Sequence, residues 1–213
     1  MKPAFDPSLY LVTDRALSGP RGVVETARQA VAGGVTMVQL RDPDAKTRPL
    51  VEDARALAAF LKSVGIPFIV NDRVDVALAS GADGVHVGQS DMRAEDARRL
   101  IGPNRILGLS ITEPGQLADP GLAVVDYLGV GPIFATATKA DAAPPLDLAG
   151  LRDIRAKSRL PIVAIGGISA MNAASVIAAG ADGISVVSAI VAATDPGAAA
   201  RDLAAIVRSA LER

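Results

Sequence analysis

The 213-residue chain contains no cysteine, no tryptophan and only one histidine, His86. Without cysteine it has no disulfide, no thiolate metal site and no cysteine nucleophile. A single histidine also excludes a metal site built from several imidazoles. Aromatic residues make up 3% of the chain, too few for the stacking surfaces that bind single-stranded nucleic acid.

Excess charge and long apolar runs are absent as well. The formal net charge is −1, so no basic field attracts nucleic acid or an anionic membrane. No segment reaches the roughly 20 apolar residues of a membrane span, and the first eight residues lack the apolar run of a signal peptide. We therefore expect a cytoplasmic protein whose partners are small molecules; whether it forms a homo-oligomer stays open.

Half of the residues are apolar, which is enough for one large core in a single domain spanning residues 1–213. Short β-branched runs alternate with longer stretches of helical period. The runs predict eight strands, at Leu9–Thr13, Met37–Leu40, Phe68–Val70, Gly84–Val87, Ile106–Ser110, Tyr127–Val130, Ile162–Ile165 and Ile184–Val187. The stretches predict a helix after each strand, centred near Ala27, Ala56, Val76, Ala97, Gln116, Leu151, Val176 and Leu203. This order predicts an α/β fold, a single-domain (β/α)8 TIM barrel, with an open doubly wound sheet as the alternative.

A short sequence repeats where a predicted helix ends and the next strand begins. Residues 80–85 read Ser-Gly-Ala-Asp-Gly-Val, residues 179–184 read Ala-Gly-Ala-Asp-Gly-Ile, and residues 32–35 are a looser copy. Glycine at a helix end favours a tight turn, so we interpret these glycines as turn residues and not as ligands.

Active sites of this fold lie on the loops after the strands, and polar residues do follow the predicted strands. After strand 2 the sequence reads Gln39, Leu40, Arg41, Asp42 and Pro43. Gln39 and Arg41 are two residues apart, so both side chains share one face and can reach one anionic ligand. The alternative is that Arg41 only pairs with Asp42.

Carboxylates follow two neighbouring strands. Asn71 and Asp72 come after strand 3, and Asp91 comes after strand 4. Two carboxylates on adjacent loops suit Mg²⁺, which keeps several waters and binds substrate phosphates. Alternatively, each aspartate caps the helix that follows it.

A hydroxyl, that of Ser110, ends strand 5 with no histidine beside it in the sequence. Because it has no obvious base partner, we favour a hydrogen bond to phosphate over a nucleophilic role, with a helix cap as the alternative. His86 lies inside strand 4, where packing in the barrel and a catalytic role both stay open.

The last three loops suit phosphate. The loop after strand 6 is long and contains Thr-Ala-Thr-Lys at residues 136–139, as expected of a lid over an anion. Gly167 after strand 7, and Val187 and Ser188 after strand 8, fall where many barrels bind phosphate through backbone amides. A tight turn that needs glycine is the alternative.

Taken in order, these motifs resemble the thiamine-phosphate synthase family, also called thiamine-phosphate pyrophosphorylase. The resemblance covers nearly the whole chain and rests on Gln39-Leu40-Arg41, Val70-Asn71-Asp72, residues 84–91, Gly131-Pro132-Ile133-Phe134, residues 136–139 and Ile165-Gly166-Gly167-Ile168. Several separate motifs in barrel order make the match specific. It implies a transferase that joins hydroxymethylpyrimidine pyrophosphate to a thiazole phosphate, giving thiamine phosphate and pyrophosphate.

The resemblance further implies a role for each matched residue. Mg²⁺ would be ligated by Asp72 and Asp91. The pyrimidine and its pyrophosphate would be held by Gln39, Arg41, Asn71, Ser110 and Lys139, with Leu40, Asp42 and Pro43 beside them, and the catalytic residues would be Arg41, Ser110 and Lys139. The thiazole phosphate would be held by Thr136, Ala137, Thr138, Gly167, Val187 and Ser188. The implied reaction is dissociative: pyrophosphate leaves first, with Mg²⁺, Arg41 and Lys139 neutralising its charge, and the thiazole nitrogen then attacks the pyrimidine cation.

Two positions depart from the family pattern, and of these only Pro43 lends weight to a rival function; Thr112, Asp72 and Asp91 favour the synthase over the tautomerase. The pattern Gln-x-Arg-x-Lys ends here in Pro43, which removes a cation, and we expect Lys46 or Arg73 to offset the loss. Position 135 is Ala where proline is common, which should slightly change the stiffness of the lid. The rivals are a thiazole tautomerase, whose relatives carry histidine where this chain has Thr112, and a catalytically silent phosphate-binding barrel.

Overall fold

A computed structural model describes residues 2–136 and 143–212 of the chain. Within these residues eight parallel strands pair in sequence order, and the last pairs with the first to close a barrel. The strands are β1 (Leu9–Val12), β2 (Met37–Leu40), β3 (Phe68–Asn71), β4 (Gly84–Val87), β5 (Ile106–Ile111), β6 (Tyr127–Val130), β7 (Ile162–Ile165) and β8 (Gly183–Val186). The predicted barrel is confirmed, the alternative of an open sheet is wrong, and each strand end lies within about one residue of its predicted position.

Helices surround the barrel. They are α1 (Arg15–Ser18), α2 (Gly22–Ala32), α3 (Thr47–Ser63), α4 (Val74–Ser80), α5 (Ala94–Ile101), α6 (Asp147–Lys157), α7 (Ala173–Ala178), α8 (Ser188–Val191) and α9 (Pro196–Leu211). The helical segment predicted near Gln116 is present, but as two short 3-10 helices, Pro114–Ala118 and Pro120–Val124, and not as an α-helix. A proline followed by glycine starts each 3-10 helix, and this pair disfavours a continuous α-helix. No helix in the described part of the chain is long and apolar enough to cross a membrane.

Alternation along the strands sorts their side chains into two layers. One set, exemplified by Leu11, Val38 and Val85, faces the helices and forms the large outer core. The residues between them face the lumen, whose amino-terminal half is filled by Tyr10, Met37, Ile69, Ile106, Tyr127 and Val163. The next lumen layer, toward the carboxyl ends of the strands, is polar on several strands and holds the candidate site.

The repeated sequence has a structural role at the amino-terminal end of the barrel. The N–H of Asp83 donates to the carbonyl of Phe68, and Asp83 Oδ2 accepts from the N–H of Phe68, both at 2.9 Å. Equivalent pairs precede the other even-numbered strands: Thr36 with Leu9, Asp126 with Leu107, and Asp182 with Ile162. The two sequence copies therefore belong to a fourfold structural repeat. We call each of these pairs of hydrogen bonds a tie, because it anchors the start of one strand to the residue before the next strand.

Candidate active site

The carboxyl-terminal half of the lumen is lined by polar side chains from neighbouring strands. The outward residues on either side of them belong to the outer core, so the lumen positions are Gln39 on β2, Asn71 on β3, His86 on β4, Ser110 on β5 and Ser185 on β8. Gln39 is 4% exposed and His86 is 8% exposed, so both lie below the rim. The fold thus brings the predicted residues Gln39, Asn71 and Ser110 to one space.

One chain of hydrogen bonds crosses the barrel through five side chains. Gln39 Nε2 donates to the Tyr10 hydroxyl at 2.7 Å, and this hydroxyl lies 3.0 Å from that of Tyr127. The Tyr127 hydroxyl is 2.9 Å from His86 Nδ1, and His86 Nε2 is 2.9 Å from Ser110 Oγ. Burial raises the pKa of Tyr10 and of Tyr127 well above the usual value, so both phenols keep their protons at neutral pH.

The His86 ring occupies a slot that two glycines leave open. A Cβ at Gly129 would lie 2.7 Å from His86 Cε1, and a Cβ at Gly108 would overlap both the imidazole and the Tyr127 ring. Burial lowers the pKa of His86 to about 4, against a smaller opposing effect of the Asp91 carboxylate, so the imidazole is neutral at pH 7. The sequence view that Ser110 has no histidine partner is wrong, because the neighbouring strand supplies one.

Arg41 and Asp42, at the end of β2, do not pair with each other. Asp42 is bound by Arg15, which also binds Asp53 on α3. The backbone N–H of Arg41 donates to Thr13 Oγ1 at 3.1 Å, while its guanidinium has no ion-pair partner among residues 2–136 and 143–212. The interpretation that Arg41 pairs with Asp42 is therefore wrong.

The two predicted metal ligands lie on adjacent loops. Asp72 has a φ of 60°, a conformation uncommon outside glycine, and its N–H donates to the His86 carbonyl at 2.8 Å. Asp91 is exposed, and its Oδ2 accepts from the Gly88 N–H at 2.7 Å. Neither aspartate is the N-cap of the following helix, since arginines occupy those positions before α4 and α5. The described residues contain no cluster of three or more His, Cys, Asp or Glu able to hold a metal. A cation here would therefore need oxygens from substrate and water as well.

The loops after β6 and β7 are packed on each other. The Phe134 N–H donates to the Gly166 carbonyl at 3.0 Å. Gly167 has a φ of 65°, and a Cβ there would lie 2.7 Å from the Ala135 carbonyl oxygen. Glycine is therefore required at position 167 by its conformation and by the close approach of the neighbouring loop, which supports the turn interpretation of this residue.

The remaining predicted residues occupy varied positions. Leu40 packs in the outer core, because alternation turns it away from the lumen, and Pro43 is exposed. Val187 is half-buried, and Ser188 is exposed at the first position of α8. Thr136 is half-buried at the edge of the described loop, whereas the predicted residues Ala137, Thr138 and Lys139 lie outside the described residues.

Three lumen residues were not predicted as part of the site. Tyr10 and Tyr127 each stand in an apolar strand and are indistinguishable there from core residues, although the glycines at positions 108 and 129 are a signal of a large neighbour. Ser185 Oγ is buried and has no hydrogen-bond partner within the described residues. Buried hydroxyls are normally satisfied, so we expect a water or ligand atom to reach Ser185.

Known proteins resemble this chain over nearly its full length. A family model described as thiamine monophosphate synthase matches residues 9–190. The thiamine-phosphate synthase of Xanthobacter autotrophicus is 57% identical over 99% of this chain and 100% of that protein. The thiamine-phosphate synthase of Chloroflexus aurantiacus is 54% identical over 98% of this chain and 96% of that protein. Among solved structures, a thiamine phosphate pyrophosphorylase from Pyrococcus furiosus has a TM-score of 0.88 at 40% identity, covering 97% of this chain and 98% of that chain.

Proposed function

The chain belongs to the thiamine monophosphate synthase family, and on this premise we propose that it joins a hydroxymethylpyrimidine pyrophosphate to a hydroxyethylthiazole phosphate. The products are thiamine phosphate and pyrophosphate, and the enzyme is a transferase. The observation that carries the proposal is the guanidinium of Arg41, which has no ion-pair partner in the described parts of the chain and follows the buried, hydrogen-bonded Gln39. Such a site would combine a cation, unpaired within the described residues, with polar groups that can orient a ring.

The pyrimidine pyrophosphate is assigned to the half of the rim formed by loops 2 to 5. Gln39, Asn71 and Ser110 would offer amide and hydroxyl groups to the uncharged ring, while Arg41 would bind the pyrophosphate together with Lys139, which lies outside the described residues. The buried position of Gln39, 4% exposed, favours contact with a ring that enters the lumen mouth over contact with a solvated phosphate.

Mg²⁺ suits this half because the oxygens of Asp72 and Asp91 are hard ligands on adjacent loops. When bound, the ion would neutralise part of the charge that develops on the departing pyrophosphate. Asp91 fits this role while one of its oxygens is held by the Gly88 N–H, since the other remains available to a cation.

The thiazole phosphate is assigned to the other half of the rim. The backbone at Gly167, Val187 and Ser188 and the loop residues Thr136, Ala137 and Thr138 would hold its phosphate. Gly167 is exposed, so its backbone is accessible to a ligand even though the adjacent loop packs on its other side.

The reaction we propose needs no general base. The bond between the pyrimidine methylene and the pyrophosphate oxygen breaks, and the oxygen keeps the electron pair. The thiazole nitrogen then donates its lone pair to the methylene carbon and becomes the positively charged thiazolium nitrogen. No proton moves in either step, so the chain's part is to bind, to orient and to neutralise charge. This fits a lumen whose only imidazole is buried and neutral.

Incubation of both substrates with the purified protein, with and without Mg²⁺, tests the proposal. Thiamine phosphate should form only with the metal. Arg41→Ala should lower kcat/KM by about 10- to 150-fold, the value of a lost charged hydrogen bond. Arg152→Ala on the exposed face of α6 is the matched control and should leave kcat/KM unchanged.

The two rival functions predict different products. Isomerised thiazole phosphate without joining would support the tautomerase. Thr112, which stands where the tautomerases carry histidine, is hydrogen-bonded to Gln116: its N–H donates to Gln116 Oε1 at 2.7 Å. Binding of phosphate without any product would support the silent barrel. A cytoplasmic location and the oligomeric state stay predictions.

A further inference from the structure

We propose that Tyr10 and Tyr127 are positioning residues. Through one chain of hydrogen bonds that all run in the same direction, they determine that Gln39 presents an acceptor and Ser110 a donor to a ligand. The inference rests on the proposed function only for the identity of the ring that these two residues hold. The chain of hydrogen bonds is itself present in the folded protein, with the successive distances of 2.7, 3.0, 2.9 and 2.9 Å given above.

The direction of the chain follows from its first link. The Gln39 amide nitrogen can only donate, so the Tyr10 oxygen accepts there. The buried Tyr10 hydroxyl hydrogen then needs an acceptor of its own, and the Tyr127 oxygen lies within reach at 3.0 Å, so we infer that Tyr10 donates to Tyr127. Tyr127 then gives its proton to His86 Nδ1. A neutral imidazole that accepts at Nδ1 carries its hydrogen on Nε2, and this hydrogen is donated to Ser110 Oγ.

The two ends of the hydrogen-bond chain consequently present opposite groups to a ligand, an acceptor at Gln39 and a donor at Ser110. Gln39 spends its amide nitrogen on Tyr10 and presents its carbonyl oxygen, an acceptor. Ser110 receives the His86 hydrogen and presents its hydroxyl hydrogen, a donor. An aminopyrimidine carries both matching groups, since its exocyclic amine donates and its ring nitrogens accept. Reversing one link would force every other link to reverse, so the five residues act as one unit.

The same direction decides what His86 can do. With its hydrogen on Nε2 pointing at Ser110, the imidazole cannot take a proton from that hydroxyl. The chain therefore excludes a nucleophilic serine activated by His86, whereas the reversed chain would create one. Tyr127 is the link that distinguishes these states, because it supplies the hydrogen that keeps Nδ1 an acceptor.

The single histidine makes the proton position directly measurable. In untagged, ¹⁵N-labelled protein at neutral pH, the imidazole spectrum contains only His86. We expect a protonated Nε2 and an unprotonated Nδ1 in the wild type, and a mixture of both tautomers in Tyr10→Phe and in Tyr127→Phe, because each variant removes a link that sets the direction. Val163→Ala, in the same lumen layer but outside the chain, is the matched control and should give the wild-type spectrum. A proton on Nδ1 in the wild type, or an unchanged spectrum in Tyr127→Phe, would overturn the proposal.

Kinetics test the consequence for the ligand. Tyr10→Phe and Tyr127→Phe should each raise the KM for the pyrimidine pyrophosphate by about 2- to 12-fold, while the KM for the thiazole phosphate stays within about twofold. The double variant should cost no more than about the larger single effect, because both changes break the same chain. An equal rise for both substrates, or none, contradicts the positioning role. If the wild type makes no thiamine phosphate, the proposed function fails, and the tautomer measurement still decides for or against the chain.

Discussion

The glycine at position 129 offers a sharp test of the lumen, because its missing side chain is the space that the His86 ring fills. In Gly129→Ala the new Cβ would lie 2.7 Å from His86 Cε1 and 3.2 Å from His86 Nε2. Both distances are shorter than a relaxed carbon contact of about 3.5 Å, so the ring must move. Overpacking of this kind typically costs about 1–3 kcal/mol. For a chain of this size that cost lowers the melting temperature by about 2–12 °C.

The displaced ring should also lose its hydrogen bond to Ser110, and with it the orientation of that hydroxyl. We therefore expect a higher KM for the pyrimidine pyrophosphate, with the KM for the thiazole phosphate nearly unchanged. Calorimetry and initial-rate kinetics on the purified variant measure the two effects.

Two other glycines provide controls for Gly129→Ala. A Cβ at Gly84 would lie 2.8 Å from Ile69 Cδ1 and overlap the Ile106 carbonyl, so Gly84→Ala should destabilise the barrel without touching His86. A Cβ at Gly115 meets nothing within 4 Å, so Gly115→Ala should leave both stability and KM near the wild-type values. If Gly129→Ala keeps the wild-type melting temperature and KM, or if Gly84→Ala changes the KM ratio as strongly, the slot has no specific role.

Three further outcomes follow from the structure. Asp182→Ala should leave the buried N–H of Ile162 unpaired and lower the free energy of unfolding, measured by calorimetry, by about 1–3 kcal/mol, with substrate KM unchanged. Asp153→Ala, at an exposed position, is its control, and an unaltered melting temperature in Asp182→Ala would contradict a stabilising role of this hydrogen bond. Pro43→Lys should lower the KM for the pyrimidine pyrophosphate by up to about fivefold, the value of an exposed charge pair, and a higher KM would count against a cation site there. Because burial lowers the pKa of His86 to about 4, the unfolded chain binds a proton before the folded chain as the pH falls. Urea unfolding should therefore show about 2 kcal/mol less stability at pH 5 than at pH 7.5 from this residue, a difference absent in His86→Asn.

Local pattern was sufficient to predict the strands. Each strand is a short apolar run ended by glycine or a polar residue, and this signal depends only on neighbours in sequence. The segment around Gln116 has a helical period, but Pro114 and Pro120 each begin a new short 3-10 helix and prevent a continuous α-helix. The repeated Asp83 and Asp182 were visible in the sequence, but their bonds to the start of the preceding strand depend on pairing that no local pattern specifies.

The sequence predicts which residues lie at the rim of the barrel, but it does not predict which side chains they contact. That Arg41 has no carboxylate partner within the described residues depends on Arg15, which reaches Asp42 from the start of α1. The contact between His86 and Ser110 joins residues that are 24 positions apart on adjacent strands. Both contacts arise because neighbouring parallel strands of the closed barrel lie side by side, and a single sequence carries no direct signal of which side chains then meet. Arg73, one of the two cations expected to replace the missing lysine, forms an ion pair with Asp75, and a compensating role for Lys46 stays a prediction.

Along β8 the residue that stabilises the barrel and the residues proposed to bind a ligand occupy different positions. Asp182 ties its start to β7, Ser185 opens into the polar lumen layer, and Ser188 begins the rim helix, so about three residues divide each task from the next. The same order runs along β4, from the tie at Asp83 through His86 to Asp91 on the loop. Substitutions at the ties should therefore change melting temperature without changing substrate preference, whereas substitutions in the polar layer should change both. At Gly108 and Gly129 packing and hydrogen bonding act on the same side chain, since the space these glycines leave positions the His86 imidazole within hydrogen-bond distance of Tyr127 and Ser110.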